Sequence, residues 1–122
     1  MNMLGRLKAA LAPAPRPSPA AWFPRLRDGR ALLIDVREPD EWADGVAQGA
    51  LLLPLSDLLG ARSRWRATLA EAKGRELVLY CKSGMRSGRA ARLIGAEGFR
   101  AADAGSLADW AAAGWRIEKR VA

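Results

Sequence analysis

The chain has 122 residues, half of them apolar, which is enough for one domain with a buried core. One cysteine and no histidine exclude an internal disulfide, histidine-based metal sites and Ser-His or Cys-His catalysis, so we expect no metal and no cofactor. The formal charge of +7 favours an anionic partner. The chain has no nucleic-acid-binding motif, so we do not expect nucleic acid to be that partner. It also has no apolar run of the roughly 18 residues that a membrane helix needs, so we expect no membrane association.

The N-terminal segment, residues 1–17, differs in composition from the rest of the chain. Its first leucines recur at helical spacing, and four prolines then fall within residues 12–19. We predict a short amphipathic helix and a proline-rich linker, followed by one folded domain over residues 18–122. Basic residues interrupt the apolar stretch and make a poor signal peptide, so we expect a reducing, cytoplasmic location.

Strands and helices alternate in the predicted domain. Continuous apolar runs such as ALLIDV and ELVLYC are typical of strands covered on both faces, whereas a preceding serine and a following glycine mark several helices. The predicted elements are a helix over 19–27, buried strands over 31–36 and 50–55 with a short acidic turn or helix between them, a helix capped by Ser56 over 57–72, a strand over 76–81, a helix over 87–98, a weak strand over 99–104 and a helix over 106–114. This alternation predicts an α/β fold with a doubly wound central parallel sheet and helices on both faces.

The single cysteine stands at the head of a small cationic turn, CKSGMRS, at the carboxyl end of a predicted strand. Ligands bind at that edge of a parallel sheet. A glycine lets the backbone curl, so that the N–H groups of residues 82–86 face inward as an anion-binding nest. The following helix adds its positive end, and Lys82 and Arg86 add full charges. These groups all favour the thiolate, so Cys81 is predicted to be a nucleophile that ionises without a base.

Asp35 ends another predicted strand at the same edge of the sheet and is the alternative candidate for a base. A structural role is favoured, in which its carboxylate accepts backbone N–H groups near the loop or pairs with Arg37.

Four stretches, LLIDVREPDEWADG, GALLLPL, LVLYCKSGMRS and GSLADWAAAGW, resemble a single-domain rhodanese. The resemblance runs from about residue 18 to residue 118. It implies a sulfurtransferase of the thiosulfate:cyanide type, in which Cys81 takes a sulfane sulfur from a small anionic donor, holds it as a persulfide and passes it to a thiophilic acceptor such as cyanide or a thiol. The site residues that the resemblance implies are the anion-binding Lys82, Ser83, Gly84, Met85 and Arg86 and the supporting Asp35, Arg37 and Ser87.

The chain departs from this family in two places. Val46 stands where the family commonly has a histidine, and Ala104 replaces the first residue of a usual Gly-Gly pair. Related phosphatases and arsenate reductases place five residues between cysteine and arginine, whereas this loop has four, which favours sulfur over phosphate.

Two further functions compete with a small-molecule sulfurtransferase. One is a sulfur-relay or binding module that passes persulfide sulfur to a partner, either a sulfur-carrier or a thiol protein. Sustained turnover of small molecules separates an enzyme from such a relay. The other is a non-catalytic scaffold, and the intact Cys81 argues against it.

Overall fold

Helices and strands alternate in the computed structural model, which describes residues 17–119. The predicted N-terminal helix and most of the proline-rich linker lie outside these residues. In chain order the elements are a 3-10 helix at Pro19–Trp22, α1 (Phe23–Arg27), β1 (Ala31–Asp35), an acidic 3-10 helix at Pro39–Asp44, β2 (Val46–Ala47), β3 (Leu51–Leu52), α2 (Leu55–Leu59), α3 (Trp65–Glu71), β4 (Glu76–Cys81), α4 (Met85–Ala96), β5 (Ala101–Ser106), α5 (Leu107–Ala112) and β6 (Ile117–Glu118). No helix within this part of the chain is long and apolar enough to span a membrane.

A four-stranded parallel sheet in the order β3-β1-β4-β5 forms the centre of the domain. Alternate residues of β4 point to opposite faces. Leu79 and Cys81 pack against a core that includes residues of α2, α3 and α4, and Tyr80 packs with Trp22 and with Trp110 of α5. Because both faces are covered, β1 and β4 need apolar residues at almost every position, as their sequences show. The predicted α/β fold with a central parallel sheet is confirmed.

The second predicted strand, over 50–55, is shorter and more exposed than its sequence suggests. Only Leu51 and Leu52 pair with β1, at the edge of the sheet, and 37% of Leu51 is exposed. Pro54 has no N–H to donate to a ladder and instead begins α2 as its N-cap. The prediction of a second buried strand is therefore wrong.

The helix predicted over 57–72 is two helices, because the chain turns between α2 and α3. Gly60 ends α2, and Arg62 takes a left-handed φ of 59° in the connection. The Asp57 carboxylate accepts the backbone N–H groups of three residues at the start of α3 and so satisfies donors that the broken helix leaves open. Ser56, predicted as the cap, lies within α2.

The boundaries near the cysteine differ from the predicted ones by two residues. α4 begins at Met85 rather than at 87, with Gly84 as its N-cap, and β5 runs to Ser106 rather than to 104. Gly98 follows α4 with a φ of 99°, as expected for a glycine that ends a helix. The antiparallel pair of β2 and β6 was not predicted, because strands of two residues leave almost no pattern.

Tyr80 connects two central strands to β2. Its hydroxyl donates to the Asp35 carboxylate over 2.7 Å and accepts the backbone N–H of Ala47 over 2.9 Å. Burial and the neighbouring carboxylate raise the pKa of Tyr80 above its usual range, so the hydroxyl remains a neutral donor.

We expect Tyr80→Phe to lower the free energy of unfolding by about 1–3 kcal/mol, because it leaves the buried Ala47 N–H without its acceptor. Urea unfolding measures the change, and Ser63→Ala, which removes an exposed hydroxyl contact to Asp57, is a control expected to change little. A Tyr80→Phe protein as stable as the parent would contradict the bridging role of this hydroxyl.

Candidate active site

Cys81 ends β4, and the chain reverses immediately after it into α4. Gly84 turns the loop with a φ of 91°, a left-handed conformation that glycine adopts without strain. Its N–H donates to the Cys81 sulfur over 3.0 Å. Cys81 is fully buried although Lys82 and Ser83 beside it are exposed. The sulfur therefore lies at the base of the loop and not on its surface.

The groups around the sulfur act on its ionisation in opposite directions. Burial raises the pKa of the Cys81 thiol, because a buried anion loses its hydration. Hydrogen bonds from the Ser87 hydroxyl and from the backbone N–H groups of Ser87, Ser83 and Gly84 lower it, and together they outweigh burial. The pKa of Cys81 thus falls below its ordinary value without a histidine, as the loop sequence predicts.

Arg86, whose charge was predicted to favour the thiolate, is joined to Glu41 of the acidic 3-10 helix. The two guanidinium ends of Arg86 donate to the two carboxylate oxygens over 2.5 and 2.9 Å. Hydrogen bonding from Arg86 lowers the pKa of Glu41 to about 2, and Glu41 in turn raises the pKa of Arg86. Both groups are charged near neutral pH, so Glu41 offsets one of the two cationic charges predicted for the loop.

Asp35 and Arg37 form a buried ion pair at the carboxyl end of β1, with 2.8 Å between Nη2 and Oδ2. Asp35 accepts both the backbone and the side-chain N–H groups of Arg37, and also the Tyr80 hydroxyl. Arg37 further donates to the carbonyl oxygens of Glu41 and Gly45. The predicted contact between Asp35 and Arg37 is present. No hydrogen bond described within residues 17–119 joins Asp35 to the sulfur, which favours a structural role.

Ser87 lies in the first turn of α4 and is fully buried. Its hydroxyl oxygen is 3.4 Å from the Cys81 sulfur and 2.7 Å from Oδ1 of Asp103 on β5. Asp103 also accepts the N–H of Gly105 over 3.0 Å. Glu41 and Asp103 were both missed from the sequence. Asp103 could have been found, because it lies near the carboxyl end of the strand that pairs with β4.

A cavity of about 360 Å³ adjoins the loop at Lys82. Basic, acidic and apolar side chains line it together: Arg37, Glu41, Asp44, Lys82, Leu107 and Ala108. Met85 projects from the first turn of α4 with 79% of its surface exposed. Val46 is buried in β2, so an apolar side chain occupies the position where the resembling family commonly has a histidine.

Fold and loop together define an α/β domain with a buried cysteine of lowered pKa at a strand-to-helix turn. The sequence model of the rhodanese-like domain matches residues 20–113, and the chain belongs to that family.

Individual relatives agree with the family match. A human thiosulfate:glutathione sulfurtransferase is 32% identical over 107 residues, which cover 76% of this chain and 93% of the relative. An uncharacterized Bacillus subtilis protein is 39% identical over 69 residues, 57% of this chain, and the match spans only half of its length. A rhodanese structure with anions from E. coli is 28% identical with a TM-score of 0.62, covering 74% of this chain and 99% of that one. The homologues support a sulfurtransferase-type function.

The wild-type thiol is expected to ionise below the pKa of about 8.5 of a free cysteine. Replacing both Lys82 and Arg86 by alanine should raise the pKa of Cys81 only part of the way to that of a free thiol, because the backbone donors remain. The measurement is the rate of alkylation by iodoacetamide against pH, and Arg89→Ala with Arg100→Ala is a control that removes the same charge from other exposed positions. A wild-type midpoint at or above that of a free thiol would show that the loop does not ionise Cys81.

The ion pair with Arg86 should make stability depend on pH through Glu41. The pKa of Glu41, about 2 in the folded protein against an ordinary 4.5, means that the unfolded state takes up the proton first as pH falls. The stabilisation is therefore complete above pH 4.5 and is lost towards pH 2. The loss of unfolding free energy caused by Glu41→Gln should be larger near neutral pH than near pH 3.

Urea unfolding of both proteins over this range measures the effect. Asp44→Asn is the matched control, since it changes the charge of the same 3-10 helix without touching the described bonds to Arg86. A Glu41→Gln effect that is equally large at both pH values would argue that the carboxylate contributes by packing and not by charge.

Proposed function

We propose that the protein is a sulfurtransferase that moves a sulfane sulfur from thiosulfate or a similar donor to a thiophilic acceptor through a persulfide on Cys81. The observation that carries the proposal is the buried sulfur beneath a curled loop, with the Gly84 N–H 3.0 Å away and the pKa of the thiol lowered. A human relative named for thiosulfate and glutathione, matched over 93% of its length, supports this class of reaction.

In the first half-reaction the Cys81 thiolate attacks the outer, sulfane sulfur of thiosulfate. A new sulfur–sulfur bond forms to Cys81, the bond between the sulfane sulfur and the sulfonate breaks, and sulfite leaves with the electron pair. Both donor and leaving group are dianions, so the positive ends of the loop N–H groups and of α4 stabilise charge throughout. No general base is needed once the thiol is ionised.

Lys82 is the loop cation best placed to attract the donor. It is exposed beside Cys81 and borders the adjoining cavity. Arg86 is engaged by Glu41, so its charge contributes less to an approaching anion than the sequence alone suggests. A related E. coli rhodanese solved with anions supports an anion site in this fold.

In the second half-reaction the acceptor attacks the outer sulfur of the persulfide. The bond from Cys81 to that sulfur breaks and its electrons return to Cys81, which regains the thiolate. Cyanide would leave as thiocyanate, and a thiolate would leave as a new persulfide. The loop donors that hold the thiolate also suit the terminal anion of the persulfide.

A protein thiol is the second candidate acceptor, which would make the domain a sulfur relay. Met85 favours this function, because a large apolar side chain that is 79% exposed at the mouth of a site is suited to contact with a partner. Both functions require the same persulfide and differ in what removes it.

Intact-protein mass spectrometry after exposure to thiosulfate tests the persulfide. We expect a gain of one sulfur atom that disappears on adding cyanide, and no gain in Cys81→Ser. Sustained release of thiocyanate would identify an enzyme acting on small molecules, whereas a single loading without turnover would identify a relay. Sulfur transfer that persists in Cys81→Ser would refute the mechanism. The control is Ser83→Ala, which keeps the loop N–H groups and should still load sulfur.

A further inference from the structure

The Ser87 hydroxyl lies between two acceptors and has one proton to give. Its oxygen is 2.7 Å from Oδ1 of Asp103 and 3.4 Å from the Cys81 sulfur. A serine hydroxyl donates one hydrogen bond at a time and accepts others. The shorter contact, to a carboxylate, is the stronger one. While Cys81 is a thiol, the Ser87 proton therefore favours Asp103 over the sulfur.

We propose that Asp103 is a positioning residue that controls how acidic Cys81 is, by competing with the thiolate for the Ser87 proton. When Cys81 ionises, its proton leaves to solvent. The Ser87 hydroxyl then has to turn about its Cβ–Oγ bond to donate to sulfur, and Asp103 loses that hydrogen bond while keeping the Gly105 N–H. This loss opposes ionisation, so Asp103 holds Cys81 less acidic than the backbone donors and an uncontested Ser87 hydroxyl would together make it.

The contact depends on the absence of a side chain at Gly88. A Cβ built there would lie 3.2 Å from Oδ2 of Asp103, closer than nine in ten such contacts. Because Gly88 follows Ser87 in α4, its bare surface lets the β5 carboxylate approach the helix beside the Ser87 hydroxyl. Nη1 of Arg92, also on α4, lies 3.5 Å from the same built Cβ, so a charged guanidinium shares this position with the carboxylate. A single methyl group at Gly88 would disturb the arrangement.

Other charged groups also act on the sulfur or on its immediate neighbours. Lys82 adjoins Cys81 in the loop, and Arg86 of α4 interacts electrostatically with Cys81. Glu41 and Glu38, from the segment after β1, in turn interact with Arg86. Asp103 differs from these groups because it reaches the sulfur through a hydroxyl whose direction can change.

The consequence for sulfur transfer rests on the proposed function, whereas the effect on ionisation does not. A thiolate becomes a weaker nucleophile as its pKa falls, and the best attacking thiol has a pKa near the ambient pH. A loop that only lowered the pKa would gain thiolate and lose reactivity. Competition from Asp103 keeps the pKa of Cys81 from falling so far that the thiolate becomes a weak nucleophile.

The test is a pH titration of the thiolate ultraviolet absorbance, which needs no sulfur donor. We expect Asp103→Asn to move the midpoint of the Cys81 titration to lower pH. At a pH well below that midpoint, the fraction of thiolate should rise roughly fivefold, which is the effect of one net hydrogen bond. Asp109→Asn, an equal charge change in α5, should leave the midpoint in place. Cys81→Ser supplies the blank, and circular dichroism verifies folding.

Ser87→Ala separates the hydroxyl from the charge of Asp103 acting through space. If the proton of Ser87 carries the effect, Asp103→Asn should produce no further shift in a Ser87→Ala background. An unchanged or higher midpoint in Asp103→Asn alone would overturn the proposal. So would an Asp103→Asn substitution that lowers the midpoint equally in the parent protein and in Ser87→Ala. Should Asp103→Asn fail to fold, Gly88→Ala, which pushes the carboxylate away, must lower the midpoint. A protein that never loads sulfur but shows these shifts would refute the proposed function alone.

Discussion

The buried ion pair between Asp35 and Arg37 is the constraint on which the rest of the site depends. A charge without water must be bonded on every side, and breaking such a pair by removing one partner costs about 3–5 kcal/mol. Arg37 meets this requirement with Asp35 and with the carbonyl oxygens of Glu41 and Gly45, which fixes the acidic 3-10 helix over the end of β1. Glu41 then holds Arg86 at the start of α4. One buried guanidinium thus anchors the 3-10 helix whose Glu41 holds Arg86 beside the cysteine loop.

Ionisation of the cysteine depends on burial, which opposes it, and on hydrogen-bond donors, which favour it in place of an acid–base partner. The sheet buries the sulfur, which disfavours the thiolate, and the left-handed turn at Gly84 brings backbone donors to it. Backbone N–H groups do not titrate and are not removed by side-chain changes. A chain without histidine can therefore keep a thiol of lowered pKa whose backbone donors are the same at every pH, and Val46 can occupy the place of the family's histidine without removing them.

The parts that could be predicted from sequence are those governed by local pattern. The apolar runs of β1 and β4 and the cysteine loop, with its glycine and two cations, were each recognised from consecutive residues. The break in the predicted helix over 57–72 was missed because apolar residues at helical spacing continue across it. Glu41 and Asp103 were missed for another reason: their partners are 45 and 16 residues away along the chain, so their roles arise only when the sheet brings the segments together.

The brevity of β3 has a consequence for how the domain behaves at high concentration. An outer strand presents unpaired backbone groups to other molecules, and a long, flat, apolar one is a template for intermolecular pairing. At the β3 edge the outer strand spans only Leu51–Leu52 and is followed by Pro54, so few backbone groups of this edge are open to a second molecule although the surrounding run is rich in leucine. Replacing that proline would risk extending the ladder and converting an apolar border into an aggregation site.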